Sequence, residues 1–141
     1  MDTILYTAEA LSTGDGRNGR VRTSDGRLDL DLAIPQSMGG SGDGANPELL
    51  FAAGYAACFH SALLAVARGQ KIKLEDEAVG SRVHIGPNGQ GGFQLGVELE
   101  VVIPNLPHDE AQALADAAHQ VCPYSNATRG NIDVVIRVVE G

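Results

Sequence analysis

Hydrophobic and polar residues alternate along three short segments in the first third of the chain. The segments read ILYTAEALS, RVRTS and RLDLDLAI, and the linkers TGDGRNG and SDG between them carry the Asp-Gly and Asn-Gly dipeptides of hairpin turns. This pattern predicts a three-stranded meander. The glycines and proline of the next segment, PQSMGGSGDGA, predict a loop.

A long apolar segment follows this loop. Asn46 can accept a hydrogen bond from a free backbone amide, Pro47 suits the first helical position, and Glu48 complements the positive end of the helix dipole. These residues predict the start of a helix that runs to about Arg68, with Gly69 as its C-terminal cap. Because LLFAAGYAACFHSALLAVA has no polar face wide enough for solvent, we expect burial nearly all round. A chain this small cannot supply such burial alone, so an intimate homodimer is predicted.

The rest of the chain predicts three more strands and a second helix. The strands are EAVGSRVHIG, GFQLGVELEVVI and NIDVVIRVV, and the helix is PHDEAQALADAAHQV. The order of elements indicates an α+β fold with strands mostly in hairpins, in a single domain over residues 1–141.

The charge, the N-terminal sequence and the number of cysteines argue against several classes of function. The net charge of −8, without a basic stripe, argues against nucleic acid as a partner. The N-terminus MDTILYTAEA lacks signal-peptide features, and we expect no membrane association, because no run of about 18 apolar residues without charge is evident. A cytoplasmic protein is predicted, in which two cysteines without CxxC spacing are not expected to form a permanent disulfide.

The two cysteines are the first candidates for chemistry. Cys58 lies in the apolar helix, where a cysteine is most often a small buried hydrophobic residue. Cys122 precedes Pro123, and if PYSNA opens a helical turn, Cys122 caps it where the helix dipole favours a thiolate. Two thiols so placed suit a reactive pair in which one attacks and the other resolves.

A reactive Cys58 needs a cation, because burial alone disfavours the thiolate. Arg17 in GDGRNG is the preferred candidate among the clustered arginines of the first hairpin, most of which are expected to be solvated. An arginine in an apolar pocket needs a carboxylate to orient it, and Glu48 is the nearest one to the helix. Ten helical residues separate Glu48 from Cys58 by roughly 15 Å, so either Arg17 spans the gap or Glu48 comes from a partner subunit.

A metal site is not predicted. Cys58, His60 and Cys122 could imitate zinc ligands, but helical residues two apart point about 200° away from each other.

NPELLFAAGYAACFHSAL and HQVCPYSNATRGNIDV together closely resemble the organic hydroperoxide resistance (Ohr) branch of the OsmC-like family. GDGRNGR and GGFQLGVELEV extend the resemblance over essentially the whole chain. It implies an OsmC-like intertwined homodimer with antiparallel sheets wrapped around two long buried central helices. It also implies a thiol peroxidase without metal, haem or flavin, whose active sites form at the subunit interface.

Residue roles follow from the same resemblance. Cys58 matches the peroxidatic cysteine, Cys122 the resolving cysteine, Arg17 the thiolate-stabilising arginine and Glu48 its partner. A disulfide between the cysteines of one subunit is then reduced by a lipoylated protein or by dihydrolipoamide. Phe51 and Tyr55 are expected to line a pocket that favours fatty or aromatic hydroperoxides over hydrogen peroxide.

Two departures and two alternatives stay open at this point. Gly14-Asp15-Gly16-Arg17 is one residue longer than the Gly-Gly-Arg usual in the family, so Arg20 could take the place of Arg17. His60 replaces a commonly apolar residue, and a buried, hydrogen-bonded histidine is expected there. The alternative functions are a broader OsmC-type peroxidase and a non-catalytic dimer that binds apolar ligands.

Overall fold

Six β-strands and three α-helices form within residues 1–140, the part of the chain that the computed structural model describes. The chain divides into two units, one of residues 1–50 and one from Phe51 onward. The single domain over residues 1–141 stays a prediction.

The first unit contains the predicted meander. Its strands pair antiparallel in chain order, with Val21 opposite Leu30, and they are β1 (Ala10–Thr13), β2 (Arg20–Thr23) and β3 (Asp29–Asp31). A single turn of 3-10 helix, Gly16–Asn18, connects β1 to β2. Gly16 has a φ of +60°, a conformation that glycine adopts without steric cost.

Helix α1, Pro47–Gly69, begins where the sequence predicts. The Asn46 side-chain oxygen accepts a hydrogen bond of 2.8 Å from the Leu49 amide, which confirms the N-terminal cap. The C-terminal end differs from the prediction, because the left-handed residue is Lys71 (φ +58°) rather than Gly69. The Lys71 amide bonds to the Arg68 carbonyl and the Ile72 amide to the Ala67 carbonyl, the pairing of a Schellman motif.

Within this chain, only one face of α1 is buried. The buried residues recur at helical spacing and are Tyr55, Phe59, Ala62, Leu63 and Ala67. The opposite face is exposed although it is small and weakly polar, with Ala53, Ala57, Ser61 and Ala65 at intervals of four. The expected burial on every side is therefore not provided by the residues of one chain.

The second sheet contains β4 (Ala78–Pro87), β5 (Phe93–Val102) and β6 (Val134–Val138), in that order. β4 and β5 form the predicted antiparallel hairpin. β5 and β6 pair parallel, whereas the family resemblance implied antiparallel sheets. The connection between them contains α2 (His108–Val121) and α3 (Pro123–Thr128), and a crossover of this kind returns the chain in the same direction.

The core of the second unit lies between this sheet and the helices. Alternate residues of β5, namely Val97, Leu99 and Val101, are buried. Glu98 and Glu100 between them bond to the exposed side chains of Arg137 and Arg82. The buried side of α2 and the buried face of α1 belong to the same hydrophobic cluster.

Length and composition would by themselves allow α1 to cross a membrane, since an 18-residue window has a mean hydropathy of 1.8. The sequence therefore does contain an apolar run of this length. A core helix of a soluble protein meets the same criterion, and five side chains of α1 are buried in the core.

Candidate active site

The two cysteines lie side by side although they are 64 positions apart in the sequence. Their sulfur atoms are 3.6 Å apart and both thiols are free. Cys58 projects from the middle of α1 and is partly exposed, whereas Cys122 is fully buried and caps the N-terminus of α3, as predicted. A disulfide requires about 2.05 Å between the sulfurs, so a small displacement would join them.

Within this unit, the surroundings of Cys58 disfavour the ionised form of its thiol. Burial raises its pKa above the usual value, and the neighbouring Cys122 thiol also acts to raise it. The Tyr124 backbone N–H donates a hydrogen bond to the Cys58 sulfur and opposes this rise. An additional positive charge is needed for a reactive thiolate at neutral pH.

Three aromatic rings pack together beside the cysteine pair. Phe51 and Tyr124 stack with their ring centroids 5.7 Å apart and an interplanar angle of 19°. Tyr55 packs against both rings, with centroid distances of 5.8 Å to Phe51 and 5.6 Å to Tyr124. Phe51 is half-buried and Tyr124 is 36% exposed, while Tyr55 is completely buried beneath them. Of these rings, only Phe51 and Tyr124 have surface that a ligand could contact in this unit.

A cluster of buried hydroxyl groups joins α1 to α3. The Tyr55 hydroxyl lies 2.8 Å from Ser125 Oγ and 3.1 Å from Thr128 Oγ1, and Thr128 Oγ1 also donates to the Ser125 carbonyl. None of the three residues is exposed. The cluster satisfies polar groups that would be costly to bury unpaired.

Arg17 and Glu48 form a bidentate ion pair within the first unit. Arg17 Nη1 donates to Glu48 Oε2 at 2.9 Å, and Arg17 Nη2 donates to Glu48 Oε1 at 2.7 Å. The hydrogen bond from Arg17 lowers the pKa of Glu48, so that carboxyl group is ionised at neutral pH. One chain supplies both residues, and the predicted carboxylate partner of Arg17 is therefore present without a second subunit.

Arg20 has a different partner. Its Nε and Nη2 atoms donate to the two carboxylate oxygens of Asp29 at 2.7 and 2.8 Å, across the β2–β3 pair. More than half of the Arg20 side chain is exposed, against 37% for Arg17 and 14% for Glu48. Arg20 therefore has the features of a solvated hairpin charge.

His60 is hydrogen-bonded but is not buried as expected. Its Nε2 atom lies 3.0 Å from Glu77 Oε1, and 35% of its side chain is exposed because it lies at the border between the two faces of α1. Among residues 1–140, no three His, Cys, Asp or Glu side chains converge as metal ligands.

Known proteins are similar to this chain over most of its length. Residues 40–137 match the family model described as OsmC-like protein. An organic hydroperoxide resistance protein of Xanthomonas axonopodis pv. citri is 55% identical over 137 residues, which cover 96% of this chain and 95% of that protein.

The chain belongs to the Ohr branch of the OsmC family.

Solved structures of Ohr proteins have the same fold. The crystal structure of an organic hydroperoxide resistance protein from Legionella pneumophila superposes with a TM-score of 0.93 at 54% identity, covering 96% of this chain and 98% of that one. The structure of OhrB from Bacillus subtilis gives a TM-score of 0.87 at 44% identity, covering 96% and 100%. The predicted OsmC-like α+β fold is thereby confirmed.

Sequence reasoning on this Ohr-branch chain missed Tyr124, Ser125 and Thr128. An aromatic residue two positions after Cys122 was the available signal for Tyr124. Gly54 was also missed, and a Cβ atom there would lie 2.7 Å from the Tyr124 hydroxyl and 3.2 Å from its ring. A side chain at this position would therefore require the Tyr124 ring to shift from where it packs on α1.

Proposed function

We propose that this protein is a thiol-dependent peroxidase that reduces organic hydroperoxides to alcohols. The observation that carries the proposal is the pair of free thiols 3.6 Å apart, one partly exposed and the other buried. Membership of the Ohr branch supports a role in resistance to organic hydroperoxides.

In the first step, the Cys58 thiolate attacks the distal oxygen of the hydroperoxide. The O–O bond breaks, the alcohol leaves with a proton, and Cys58 becomes a sulfenic acid. The Arg17 guanidinium supplies the charge that stabilises the thiolate and the departing alkoxide, and Glu48 orients that guanidinium. The bidentate Arg17–Glu48 pair supports these two roles.

In the second step, the Cys122 sulfur attacks the sulfenic sulfur of Cys58. Water leaves and a disulfide forms within the subunit. A lipoyl dithiol, either on a protein or as free dihydrolipoamide, then reduces the disulfide by thiol exchange and is itself oxidised to the cyclic disulfide. No metal or organic cofactor takes part in this proposal.

Substrate choice comes from the apolar surroundings of Cys58. Phe51, which the sequence nominated for the pocket, would form its wall together with Tyr124. Tyr55, the other residue nominated, is completely buried and would support both rings from beneath. Such a wall favours fatty or aromatic hydroperoxides over hydrogen peroxide, because apolar substituents gain from leaving water.

A cytoplasmic homodimer is the assembly that we propose. The exposed face of α1 supports it, because Ala53, Ala57 and Ala65 give that face little polar surface. Sedimentation equilibrium would test it with Ala57→Glu, which should favour the monomer, and with the exposed Ala113→Glu of α2 as the matched control, which should remain dimeric. An Ala57→Glu protein as dimeric as the wild type would contradict an interface on this face.

Steady-state turnover tests the function. Consumption of cumene hydroperoxide and hydrogen peroxide would be compared with dihydrolipoamide, glutathione and thioredoxin as alternative reductants. We expect turnover with dihydrolipoamide and a clear preference for cumene hydroperoxide. Equal rates with both peroxides would favour a broader OsmC-type peroxidase. No turnover, together with slow alkylation of both thiols at neutral pH, would favour a non-catalytic ligand-binding protein.

A further inference from the structure

The position of Cys122 depends on how the short helix α3 is held against α1. α3 has only six residues, and Cys122 immediately precedes it. α3 contacts α1 in three ways: the Tyr124 ring packs over Gly54, the Tyr124 amide bonds to the Cys58 sulfur, and the hydroxyl groups of Ser125 and Thr128 bond to Tyr55. The Tyr55 hydroxyl is the α1 atom to which both α3 hydroxyl groups hydrogen-bond.

These hydrogen bonds are in the chain interior, where they hold a geometry well. Ser125 and Tyr55 are fully buried, and Thr128 is 6% exposed. Water therefore does not compete with the bonds, and each donor would lose its partner if α3 moved away from α1. Packing alone would still allow the short helix to slide, because the stacked Phe51 and Tyr124 rings tolerate lateral displacement.

We propose that the Tyr55–Ser125–Thr128 hydroxyl cluster positions Cys122 for its attack on the oxidised sulfur of Cys58. This role rests on the proposed function, in which Cys122 is the resolving cysteine. The hydrogen bonds of the cluster involve neither sulfur, so its members act as positioning residues. The cluster keeps the two sulfur atoms within 3.6 Å of each other. Two thiols held at this distance form a disulfide faster than two thiols that must first move into position.

The attack of Cys122 can be measured without peroxide. Dithiobis(nitrobenzoate) reacts with the Cys58 thiolate to give a mixed disulfide and one coloured thionitrobenzoate anion. The Cys122 thiolate then attacks the Cys58 sulfur, forms the Cys58–Cys122 disulfide and releases the second thionitrobenzoate. The first phase reports Cys58 alone, and the second reports the approach of Cys122. A Cys122→Ser protein should show only the first phase.

Thr128 offers a matched pair of substitutions. Thr128→Val removes the hydroxyl group at nearly constant volume, whereas Thr128→Ser retains it. We expect Thr128→Val and Ser125→Ala to slow the second phase about fivefold with an unchanged first phase, a loss typical of one buried hydrogen bond. Thr128→Ser should keep the wild-type rate. Tyr55→Phe, which removes both bonds to α1, should slow closure most.

Val101→Ala serves as the control for loss of stability, because Val101 is buried in β5 and is not part of the Tyr55–Ser125–Thr128 hydroxyl cluster. It should lower the melting temperature without slowing the second phase. Wild-type closure rates in Thr128→Val and Ser125→Ala would overturn the proposal, and so would equal slowing by Val101→Ala. A wild-type protein that closes its disulfide in this assay but consumes no cumene hydroperoxide would refute the peroxidase function and leave the positioning role standing.

Discussion

The sulfur atoms of Cys58 and Cys122 lie 3.6 Å apart while both cysteines are reduced. α1 and α3 bring them together, and only Cys58 is partly exposed. This difference in exposure supports different roles for the two cysteines, in which Cys58 reacts with the substrate and Cys122 reacts only with oxidised Cys58.

Replacement of Cys122 by serine should separate the two steps. Cys122→Ser protein is expected to consume one equivalent of cumene hydroperoxide and then stop with dihydrolipoamide as reductant, because the sulfenic acid has no resolving thiol. Cys58→Ser should consume none. Peroxide disappearance in a stopped assay measures both. Steady-state turnover by Cys122→Ser at the wild-type rate would rule out the resolving role.

Arg17→Lys keeps the positive charge but cannot make the bidentate contact with Glu48. We expect its kcat/KM for cumene hydroperoxide to fall by about 10- to 100-fold. Arg20→Lys is the matched control, because Arg20 makes an equally bidentate contact with Asp29 and should tolerate the change. A severe effect of Arg20→Lys with a silent Arg17→Lys would transfer the catalytic role to Arg20.

The Arg17–Glu48 pair also predicts a dependence of stability on pH. The hydrogen bond from Arg17 lowers the pKa of Glu48 in the folded protein below its usual 4.5. The contribution of ionised Glu48 to the free energy of unfolding is therefore fully present above pH 4.5. It is lost as the pH falls through the lower pKa that Glu48 has in the folded protein.

Glu48→Gln measures this contribution. At pH 7 we expect its free energy of unfolding to be lower than that of the wild type by about 1 kcal/mol or less, since Arg17 is partly exposed to solvent. The difference should shrink below pH 4.5 as Glu48 becomes protonated in the wild type. Urea unfolding at several pH values would show it, and a difference that grows with acidity would contradict the assignment.

Gly54→Ala should impair the site although alanine favours helices over glycine by about 1 kcal/mol. The added Cβ would lie 2.7 Å from the Tyr124 hydroxyl, and displacement of Tyr124 would also move its amide from the Cys58 sulfur. We expect about a tenfold loss of kcat/KM for cumene hydroperoxide.

Two further proteins control this experiment. Combining Gly54→Ala with Tyr124→Phe removes the closest atom and should restore part of the activity. Gly80→Ala, where a Cβ has no neighbour within 4 Å, should be silent. Full activity of the Gly54→Ala protein would show that Tyr124 need not pack on α1.

Local elements of the fold were predictable because their signals are local. Alternation and turn dipeptides predicted the meander, and Asn46 marked the start of α1. The end of α1 was not predictable, because Lys71 takes the left-handed conformation in place of the nearby glycine. The parallel pairing of β5 and β6 was missed because alternation within a strand carries no information on its partner's direction.

The candidate site likewise contains residues that the sequence predicted and contacts that it did not. The need of a guanidinium in an apolar pocket for a carboxylate led to the Arg17–Glu48 pair. The positions of Cys58 and Cys122 in the sequence led to the reactive pair, and the family resemblance assigned their separate roles. The contacts of Tyr55 with Ser125 and Thr128 join residues 70 and 73 positions apart, and no periodicity connects hydroxyl groups over such separations. Only the folded chain shows them.

The most direct test of the proposed chemistry is titration of the fully reduced protein with cumene hydroperoxide in the absence of any reductant, followed by peptide mass analysis. We expect each subunit to consume one equivalent and one Cys58–Cys122 disulfide to form for each alcohol released. Unconsumed peroxide with both thiols still free, or consumption without a Cys58–Cys122 linkage, would contradict the proposed chemistry.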